Sequence, residues 1–447
     1  MDDRNGRLSP LSPIDIWFAL LIGLAAFALY VRTLAPSLLW GDSAEFQTLS
    51  YTLGMTHHTG YATQIIFGKL FTLIPINSIA WRVNPMSSFF GALAVAETFL
   101  IVRLLTGSRA AAISASLVLA LTDGFWWRAL VAESYAPAAG MLATVWLLFL
   151  LWRNTGKPDY LFLAGLAGGL SLGIHSTVVM TGASVLAVMA FSARKRVEWF
   201  SAAAGALLGV ALFLGFFFFL DYNDPPSSVH NAVFRPNLSA VGLTEDEYDS
   251  AWDRFKFIFP ANRASSYYFT ATQNEMRDRL IEYVSYFPWW QLALTLIGIV
   301  WLFFGGRWRE GLYPLIAFLL IWGLAITVSF SIYREFYVPA AVITSVWFGA
   351  GAGAVLSAWG RLTKLNQPSL RMTRVLITII LIALPIWNSR QDLSLAIQKG
   401  FTSFIRDNHV YPVFAPDKAI REAKRIFNRV EDNAIVFTNW DKLYSYI

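Results

Sequence analysis

The sequence predicts an all-α polytopic membrane protein with about eleven transmembrane helices. Of its 447 residues, 56% are hydrophobic and only 14% are charged, whereas about a quarter of the residues in a soluble globular protein are charged. Apolar runs approaching the roughly 20 residues needed to cross a bilayer follow one another along most of the chain. Basic residues concentrate in alternate loops between these runs, which is the pattern that orients helices in a membrane.

The first apolar run begins at residue 14, after a polar N-terminus. It is too long for the core of a signal peptide and therefore indicates a span that the protein retains. The predicted spans lie near residues 14–34, 84–105, 109–125, 135–152, 160–177, 178–193, 197–220, 289–305, 311–330, 336–358 and 373–388.

The charges between the spans set the predicted orientation. If residues 1–13 are cytoplasmic, every inside loop carries arginine or lysine, from Arg4 and Arg7 to Arg371 and Arg374. The odd number of spans then places the C-terminus outside. Orientation in a cell inner (plasma) membrane explains the net charge of +6 better than nucleic-acid binding does, so we expect membrane lipids and no nucleic acid as partners.

Three segments lie outside in this topology. Residues 14–388 form the predicted transmembrane domain, which carries long outer loops at 35–83 and 221–288, and long structured loops tend to be functional. Within the first, residues 60–76 are too short to span and indicate an interfacial or re-entrant helix. Within the second, residues 254–269 fit either a lid or an interfacial helix. The third segment, 389–447, predicts a short α/β tail, with a helix followed by the strand "NAIVFTN".

Two acids directly follow the first span. Asp42 and Glu45 are three residues apart and would share one face of a helix. One interpretation is structural, with Asp42 as N-cap and Glu45 as its capping-box partner. The other is chemical, because desolvation at the membrane interface can raise the pKa of a carboxylate until it serves as a general base.

The segment that contains these acids, "GDSAEFQTLSYTLGMTHHTGY", resembles the signature "GDSGE…AAYTLGVAHPPGYP". That signature marks prokaryotic membrane proteins related to an animal endoplasmic-reticulum protein O-mannosyltransferase, within the type C (GT-C) glycosyltransferases. "IAWRVNPMSSFFGALAVAETFLIVRLL" is similar to the family's "AYRVNLLSALFGALA". "FWWRALVAESYAPAA", "GLSLGIHSTVV" and "YREFYVPA" also resemble family segments, so the likeness extends in order over most of residues 15–360.

The resemblance implies a GT-C-like fold with an active site in the first external loop. It implies transfer of a sugar, with mannose as the candidate, from a polyprenyl-phosphate donor to a hydroxyl of an external protein, glycan or lipid acceptor. Asp42 matches the catalytic base of an inverting displacement, and Glu45, the other candidate catalytic residue, matches the second acid of the signature. This chain departs from the family where "HPPGYP" becomes "HHTGYA"; the lost prolines would have stiffened the loop, which puts the acceptor's identity in question.

Six further residues are candidates for substrate binding. Glu133 lies at an outer boundary, where a loop acid paired with Arg128 is the alternative. His175 lies at the end of a span, where packing is the alternative. Arg334 is a candidate for the donor phosphate, because an arginine fork suits phosphate; its alternative is an ion pair with Glu335, and Arg235, Arg263 and Arg128 are rivals for its role. The predicted set is His57, Tyr61, Glu133, His175, Arg334 and Tyr337.

No metal site is predicted. The chain has no cysteine, which excludes a thiolate zinc site, and the adjacent His57 and His58 point in divergent directions. Asp42 and Glu45 leave a divalent cation as an option that we do not favour. The alternatives to a glycosyltransferase are a transporter or lipid flippase and a non-catalytic scaffold. The acids gather at one face rather than in mid-membrane, which argues against a transporter.

Overall fold

The computed structural model describes residues 8–193, 195–259, 269–329, 333–362, 368–400, 418–430 and 444. All regular structure in these ranges is helical. The helices are α1 Pro13–Arg32, α2 Gly41–Thr52, α3 Ala62–Thr72, α4 Ile79–Thr106, α5 Arg109–Leu121, α6 Asp123–Arg128, α7 Tyr135–Thr155, α8 Asp159–Leu170, α9 Ser176–Ser192, α10 Arg196–Asn223, α11 Ala251–Ile258, α12 Gln273–Ser285, α13 Trp289–Phe304, α14 Trp308–Thr327, α15 Tyr337–Leu362, α16 Pro368–Asn388, α17 Arg390–Lys399 and α18 Lys418–Phe427.

The polytopic architecture is confirmed. In the described ranges, 7 helices are long and apolar enough to cross a membrane: α1, α4, α7, α10, α14, α15 with its preceding turn, and α16. An eighth span results if α12 and α13, which meet at 101°, count as one broken span. Three of the other predicted spans coincide with shorter apolar helices, Arg109–Leu121, Asp159–Gly173 and Thr181–Ser192. The count of eleven therefore stays a prediction.

The centre of the bundle is formed by α4, α7 and α15. In an apolar stretch of 18 residues from each of these helices, 67%, 83% and 83% of the residues are buried inside the bundle. The corresponding share is 28% for α1 and for α10. Because the outer helices expose apolar side chains, they are the ones that would contact lipid.

Glycines allow one helix pair to approach at backbone distance. Gly165 and Gly169 of α8 face Gly205 and Gly209 of α10, so each helix presents a Gly-x-x-x-Gly face to the other. A Cβ added at Gly205 would lie 1.9 Å from the carbonyl oxygen of Phe162. This contact excludes any larger residue without a helix shift, as in close helix pairs within membranes.

Charged groups occur at both ends of the bundle. At one end Asp15 accepts hydrogen bonds from Arg103 Nε (3.2 Å) and Arg109 Nε (2.6 Å). The chain then leaves α1 at the opposite end and enters α2, which carries Asp42 and Glu45. Asp42 and Glu45 thus lie at the opposite end of the bundle from Arg103 and Arg109. The predicted topology requires this, because it places the acids and these arginines on opposite sides of the membrane. Which end faces the cytoplasm stays a prediction.

Helices also form outside the main bundle. The segment predicted to be interfacial contains α3, which packs against α2 and α4. In the tail, α17 is held to α1 by Arg32 Nη2, which donates to the Ile397 carbonyl at 2.6 Å, and α18 matches the predicted helix. The predicted strand at 433–439 lies outside the described residues, and the domain division at 389 stays a prediction.

Candidate active site

The chain between α1 and α2 is fixed by side-chain bonds from the bundle. Gln47 of α2 accepts a hydrogen bond from the Leu39 N–H at 3.1 Å and donates to Asn84 Oδ1 at 2.9 Å. Asn84 in turn donates to the Ala35 carbonyl at 2.9 Å. These bonds set where α2 starts, and Gln47 and Asn84 are site-forming residues that the sequence reasoning missed.

The capping-box interpretation of Asp42 and Glu45 is wrong. Helix α2 begins at Gly41, its N-cap is Trp40, and no side-chain cap is made. Asp42 is therefore the second residue of the helix, where the helix dipole favours a negative charge. Glu45 does not reach back to cap the helix, because its carboxylate is engaged by His57.

Glu45, His57 and Asp42 form one connected group. Glu45 is fully buried; its Oε1 accepts the backbone N–H of His57 at 2.8 Å, and its Oε2 lies 2.5 Å from His57 Nδ1. On the other side of the imidazole, Nε2 lies 3.9 Å from Asp42 Oδ2. Asp42 and His57 keep 28% and 23% of their side chains exposed, so this edge of the group is open to an incoming molecule.

The charges in this group shift its titration. Burial alone would lower the pKa of His57, but the carboxylates of Glu45 and Asp42 outweigh it and raise that pKa to about 9. Burial raises the pKa of Glu45, which the charge of His57 partly offsets. Glu45 and His57 therefore share a proton as a coupled pair, and the pKa of each group is raised.

Glu133 is a second buried acid beside this group. It accepts a hydrogen bond from Ser43 Oγ of α2 at 2.8 Å, while its backbone is held by Ser87 and Gln64. Burial, together with the charge of Asp42, raises the pKa of Glu133 to about 8. Because burial favours its neutral form, Glu133 can also take part as a hydrogen-bond donor.

Tyr61 and His175 border the group on the α3 side. The Tyr61 ring lies 5.2 Å from the His57 ring and 6.4 Å from that of His175, centroid to centroid. His175 caps α9, where its Nδ1 accepts the Thr177 N–H at 3.3 Å. Both residues were predicted at the site. The structure places the Tyr61 ring against His57 and the His175 ring against Tyr61.

Arg334 and Tyr337 lie apart from this group and line a cleft of about 760 Å³, part of it open to solvent. The predicted alternatives for the nearby ion pairs are wrong: Arg128 pairs with Glu335, not Glu133, and Arg334 pairs with Glu282 at 2.5 Å, not Glu335. Adjacent residues on a helical turn diverge, which is why Arg334 and Glu335 reach different partners.

The cleft and the acid group are neighbours. Arg128 and Glu335 line the cleft, and both act electrostatically on Glu133, as Asp42 does. Of the rivals to Arg334, Arg235 pairs with Asp224 at 3.3 Å, and Arg263 lies outside the described residues.

The segment 221–259 forms hydrogen bonds with the loop that carries His57. The Val229 N–H donates to the Met55 carbonyl at 2.9 Å, and Asn223 donates to the carbonyls of Thr52 and Leu53 at 3.0 Å. The ring of His58, one of the residues that replace family prolines, packs against Phe234 and Phe257. His58 therefore packs the loop against the segment 221–259.

The segment 221–259 is stabilised by a cluster of buried polar side chains. The sequence analysis did not predict this cluster. Asp221 accepts two hydrogen bonds at 2.7 Å from Arg254 and lies 2.9 Å from His230 Nε2. His230 Nδ1 lies 2.6 Å from the Tyr248 hydroxyl. The "DYNDPP" stretch was the available signal, because a charged residue at the end of an apolar helix needs a partner.

Asp42, Glu45 and His57 are also the residues that could hold a metal. One donor atom from each lies within 4.8 Å of the others, and carboxylate and imidazole donors suit zinc or another divalent ion. Both Glu45 oxygens, however, already form hydrogen bonds with His57, so a cation bound by all three residues would compete with those two bonds.

Comparison with known proteins gives two kinds of match. A family model described as "Protein O-mannosyl-transferase TMEM260 N-terminal domain" matches residues 42–199. The protein O-mannosyl-transferase TMEM260 of Mus musculus is 36% identical over 110 residues, which are 24% of this chain and 16% of the relative. Its counterpart in Dictyostelium discoideum is 32% identical over 87 residues, 19% of this chain and 11% of the relative.

These matches confirm the resemblance to O-mannosyltransferase-related proteins that the motifs at residues 41–61 and 79–105 indicated. They span less than a fifth of the relatives' own length, so they do not carry the whole proteins' activity to this chain.

Among solved structures, ArnT from Cupriavidus metallidurans bound to undecaprenyl phosphate matches with a TM-score of 0.58 at 13% identity, over 96% of this chain and 84% of that one. The apo state of the same protein matches with a TM-score of 0.50 at 12% identity, over 97% and 85% of the two chains. The likeness confirms the predicted GT-C-like polytopic fold across nearly the whole chain.

Proposed function

We propose that this protein is a membrane glycosyltransferase that moves a sugar, with mannose as the candidate, from a polyprenyl phosphate to a hydroxyl of an external acceptor. The observation that carries the proposal is the partly exposed carboxylate of Asp42, held at one end of the bundle beside a cleft with arginines. The partial likeness to O-mannosyl-transferases supports the reaction class, and that class favours a protein acceptor. The ArnT neighbour's lipid phosphate supports the donor class.

In the proposed reaction the donor's phosphate binds in the cleft near Arg334, which gives up Glu282 as its partner. The isoprenoid chain follows the apolar wall of the cleft, which includes Phe287, Val338 and Ala341, toward lipid. Forked charge-assisted hydrogen bonds to phosphate are strong and directional, and the cation also stabilises the charge that develops as the phosphate leaves.

At the other side of the sugar, Asp42 takes the proton of the acceptor hydroxyl. The acceptor oxygen forms a bond to the anomeric carbon as the bond from that carbon to the phosphate oxygen breaks, and the bonding electrons leave with the polyprenyl phosphate. Attack opposite the leaving group inverts the anomeric carbon. One base suffices, because phosphate leaves without being protonated. Glu133, Tyr61 and His175 border the space beside Asp42 and are the proposed contacts to sugar and acceptor.

A transporter would need polar groups along its spans. The described spans do contain Glu97 of α4, which is buried and accepts a hydrogen bond from Thr144 at 2.8 Å. The other acids of the seven described spans lie in first or last turns: Asp15, Glu198, Asp221, Glu310 and Glu335. One acid in the interior of one span gives no path across the bundle, so this observation does not favour transport.

Incubating the purified protein with radiolabelled polyprenyl-phosphate sugars and a membrane extract tests the proposal. We expect a labelled glycoside whose anomeric configuration is opposite to that of the donor. A matched pair of variants is Asp42→Asn and Asp159→Asn, the latter exposed at the start of α8. Label transferred by Asp159→Asn and not by Asp42→Asn is expected; no labelled product from any donor, or a product that retains configuration, would overturn the proposal.

A further inference from the structure

Two arginines line the cleft, and each is paired with a carboxylate. Arg128 pairs with Glu335, and Arg334 pairs with Glu282 of α12 through its Nε at 2.5 Å. A phosphate that binds to either of these arginines must therefore compete with an acid of the protein itself.

Exposure separates the two pairs. The side chains of Arg128 and Glu335 are 8% and 4% exposed, whereas those of Arg334 and Glu282 are 52% and 22% exposed. Separating a buried pair leaves an uncompensated charge and is strongly destabilising, but an exposed pair contributes little. The pair of Arg334 with Glu282 is therefore the one that can open when an anion arrives.

Two tyrosine hydroxyls hold the Glu282 carboxylate independently of the arginine. Tyr286 donates to Oε1 at 2.7 Å, and Tyr333 donates to Oε2 at 2.6 Å. The Tyr333 ring is itself packed against Arg279, whose guanidinium carbon lies 4.2 Å from the ring centroid. When Arg334 turns away, the carboxylate keeps both hydroxyl bonds. Glu282 thus stays in place, and the long, half-exposed side chain of Arg334 is the group that moves.

Helix α12 brings Glu282 to a place that a lipid headgroup can reach. The helix meets α13 at 101°, so it lies near the membrane plane if α13 crosses the membrane. Leu280, Ile281 and Val284 are exposed on one side of α12, where such side chains would contact lipid. Glu282 and Tyr286 lie on the opposite side, and Tyr286 lines the cleft.

The charge on the lipid phosphate rises during the proposed reaction. In the donor the phosphate is a singly charged diester, linked to both the sugar and the polyprenyl chain. The released polyprenyl phosphate is a monoester, which carries a charge of about −1.5 to −2 near pH 7. An arginine therefore attracts the product more strongly than the donor, and slow product release limits many enzymes.

We propose that Glu282 is a positioning residue that competes with the lipid phosphate for Arg334. It holds the arginine before the donor binds, yields it to the donor's phosphate, and takes it back when polyprenyl phosphate leaves. This inference rests on the proposed function, in which Arg334 binds that phosphate. The exchange makes and breaks no covalent bond. Its effect is to lower the affinity of the cleft for the product and so to speed the product's release.

The test is the Kd of polyprenyl phosphate for the purified full-length protein in detergent, measured by thermophoresis. Glu282→Gln keeps the size and shape of the side chain and removes its charge. Its Kd should fall about fivefold, which is the factor for the loss of one partly exposed ion pair at the upper end of the measured range. Structural damage would weaken binding, so tighter binding separates competition from a merely structural role.

Three controls define where Glu282 acts. Asp278→Asn removes the same charge from the same helix, but its side chain is exposed and pairs with Arg277, so the Kd should stay at the wild-type value. Adding Glu282→Gln to Arg334→Ala should leave the Kd of that variant unchanged, because the effect passes through the arginine. Polyprenol, which has no phosphate, should bind equally to the wild type and to Glu282→Gln.

The outcomes distinguish this inference from the function on which it rests. If the wild type neither binds polyprenyl phosphate nor transfers sugar from any polyprenyl-phosphate donor, both fail. If the wild type binds and transfers while Glu282→Gln binds polyprenyl phosphate no more tightly, only the inference is overturned. Tighter binding that persists in Arg334→Ala, or that appears equally with polyprenol or in Asp278→Asn, also overturns it.

Discussion

Replacing Gly60 with alanine is expected to displace the loop that carries His57. Gly60 has φ +83°, a conformation that side chains with a Cβ rarely adopt. The added Cβ would lie 2.7 Å from a ring carbon of Phe217. That ring cannot swing aside easily, because Phe217 is fully buried and packs edge-on against Phe255 at 5.0 Å between centroids.

The loss of folding stability expected for Gly60→Ala has two parts. The left-handed backbone costs an alanine about 1–2 kcal/mol, and the overlap with a packed ring costs about 1–3 kcal/mol. Together they reach about 2–5 kcal/mol if the loop stays in place. If the loop moves instead, an error of about 1 Å in placing catalytic groups can lower the rate about 10²-fold.

Gly242→Ala is the matched control, because Gly242 has φ +71° and open space where the Cβ would go. Both variants are measured for sugar transfer and for unfolding by SDS in mixed micelles, followed by circular dichroism. We expect Gly242→Ala to lose only the backbone cost and keep its activity, and Gly60→Ala to lose more stability, activity or both. Equal stability losses with full activity in both variants would refute the packing argument.

Three further predictions concern the bundle and the cleft. Gly205→Ala should lower the free energy of unfolding by about 1–3 kcal/mol, because the added Cβ would lie 1.9 Å from a backbone oxygen. Gly215→Ala on the same helix should cause no such loss, because nothing lies within 4 Å of its Cβ. Equal unfolding midpoints for the two variants would contradict this prediction. Arg128→Met leaves the buried Glu335 uncompensated and should cost about 3–5 kcal/mol. Adding Glu335→Gln should recover most of that loss, and a double variant no more stable than the single one would count against the pair. Arg334→Ala should raise the donor KM about 10- to 100-fold through loss of a charge-assisted bond, and an unchanged KM would move the phosphate site elsewhere.

Much of the fold could be predicted because the bilayer restricts what a chain can do. Backbone groups in lipid must bond within a helix, so apolar length alone indicates spans such as α1 and α4. Length is a poorer guide for α8 and α9, whose 12 and 17 residues are fewer than the roughly 20 that cross a bilayer. The Gly-x-x-x-Gly spacing of 165/169 and 205/209 was present in the sequence as a packing signal, but only the structure identifies the two segments as partners.

The acids of the site could be predicted from their position after the first span, but their pairing could not. Glu45 reaches His57 because the loop after α2 folds back on the helix, a path that depends on contacts with residues 223–229. The partner of Arg128 is Glu335, which is 207 residues away in sequence. Pairs of this kind depend on tertiary packing, and local spacing suggested the wrong partners for both Arg128 and Arg334.

The central claim is that the carboxylate of Asp42 activates the acceptor hydroxyl. It is tested most directly by the single-turnover rate of sugar transfer in Asp42→Asn, measured with donor saturating and donor binding checked separately. Loss of a general base predicts a fall of about 10²- to 10⁴-fold with donor binding retained. A rate equal to that of the wild type, at equal donor occupancy, would contradict it.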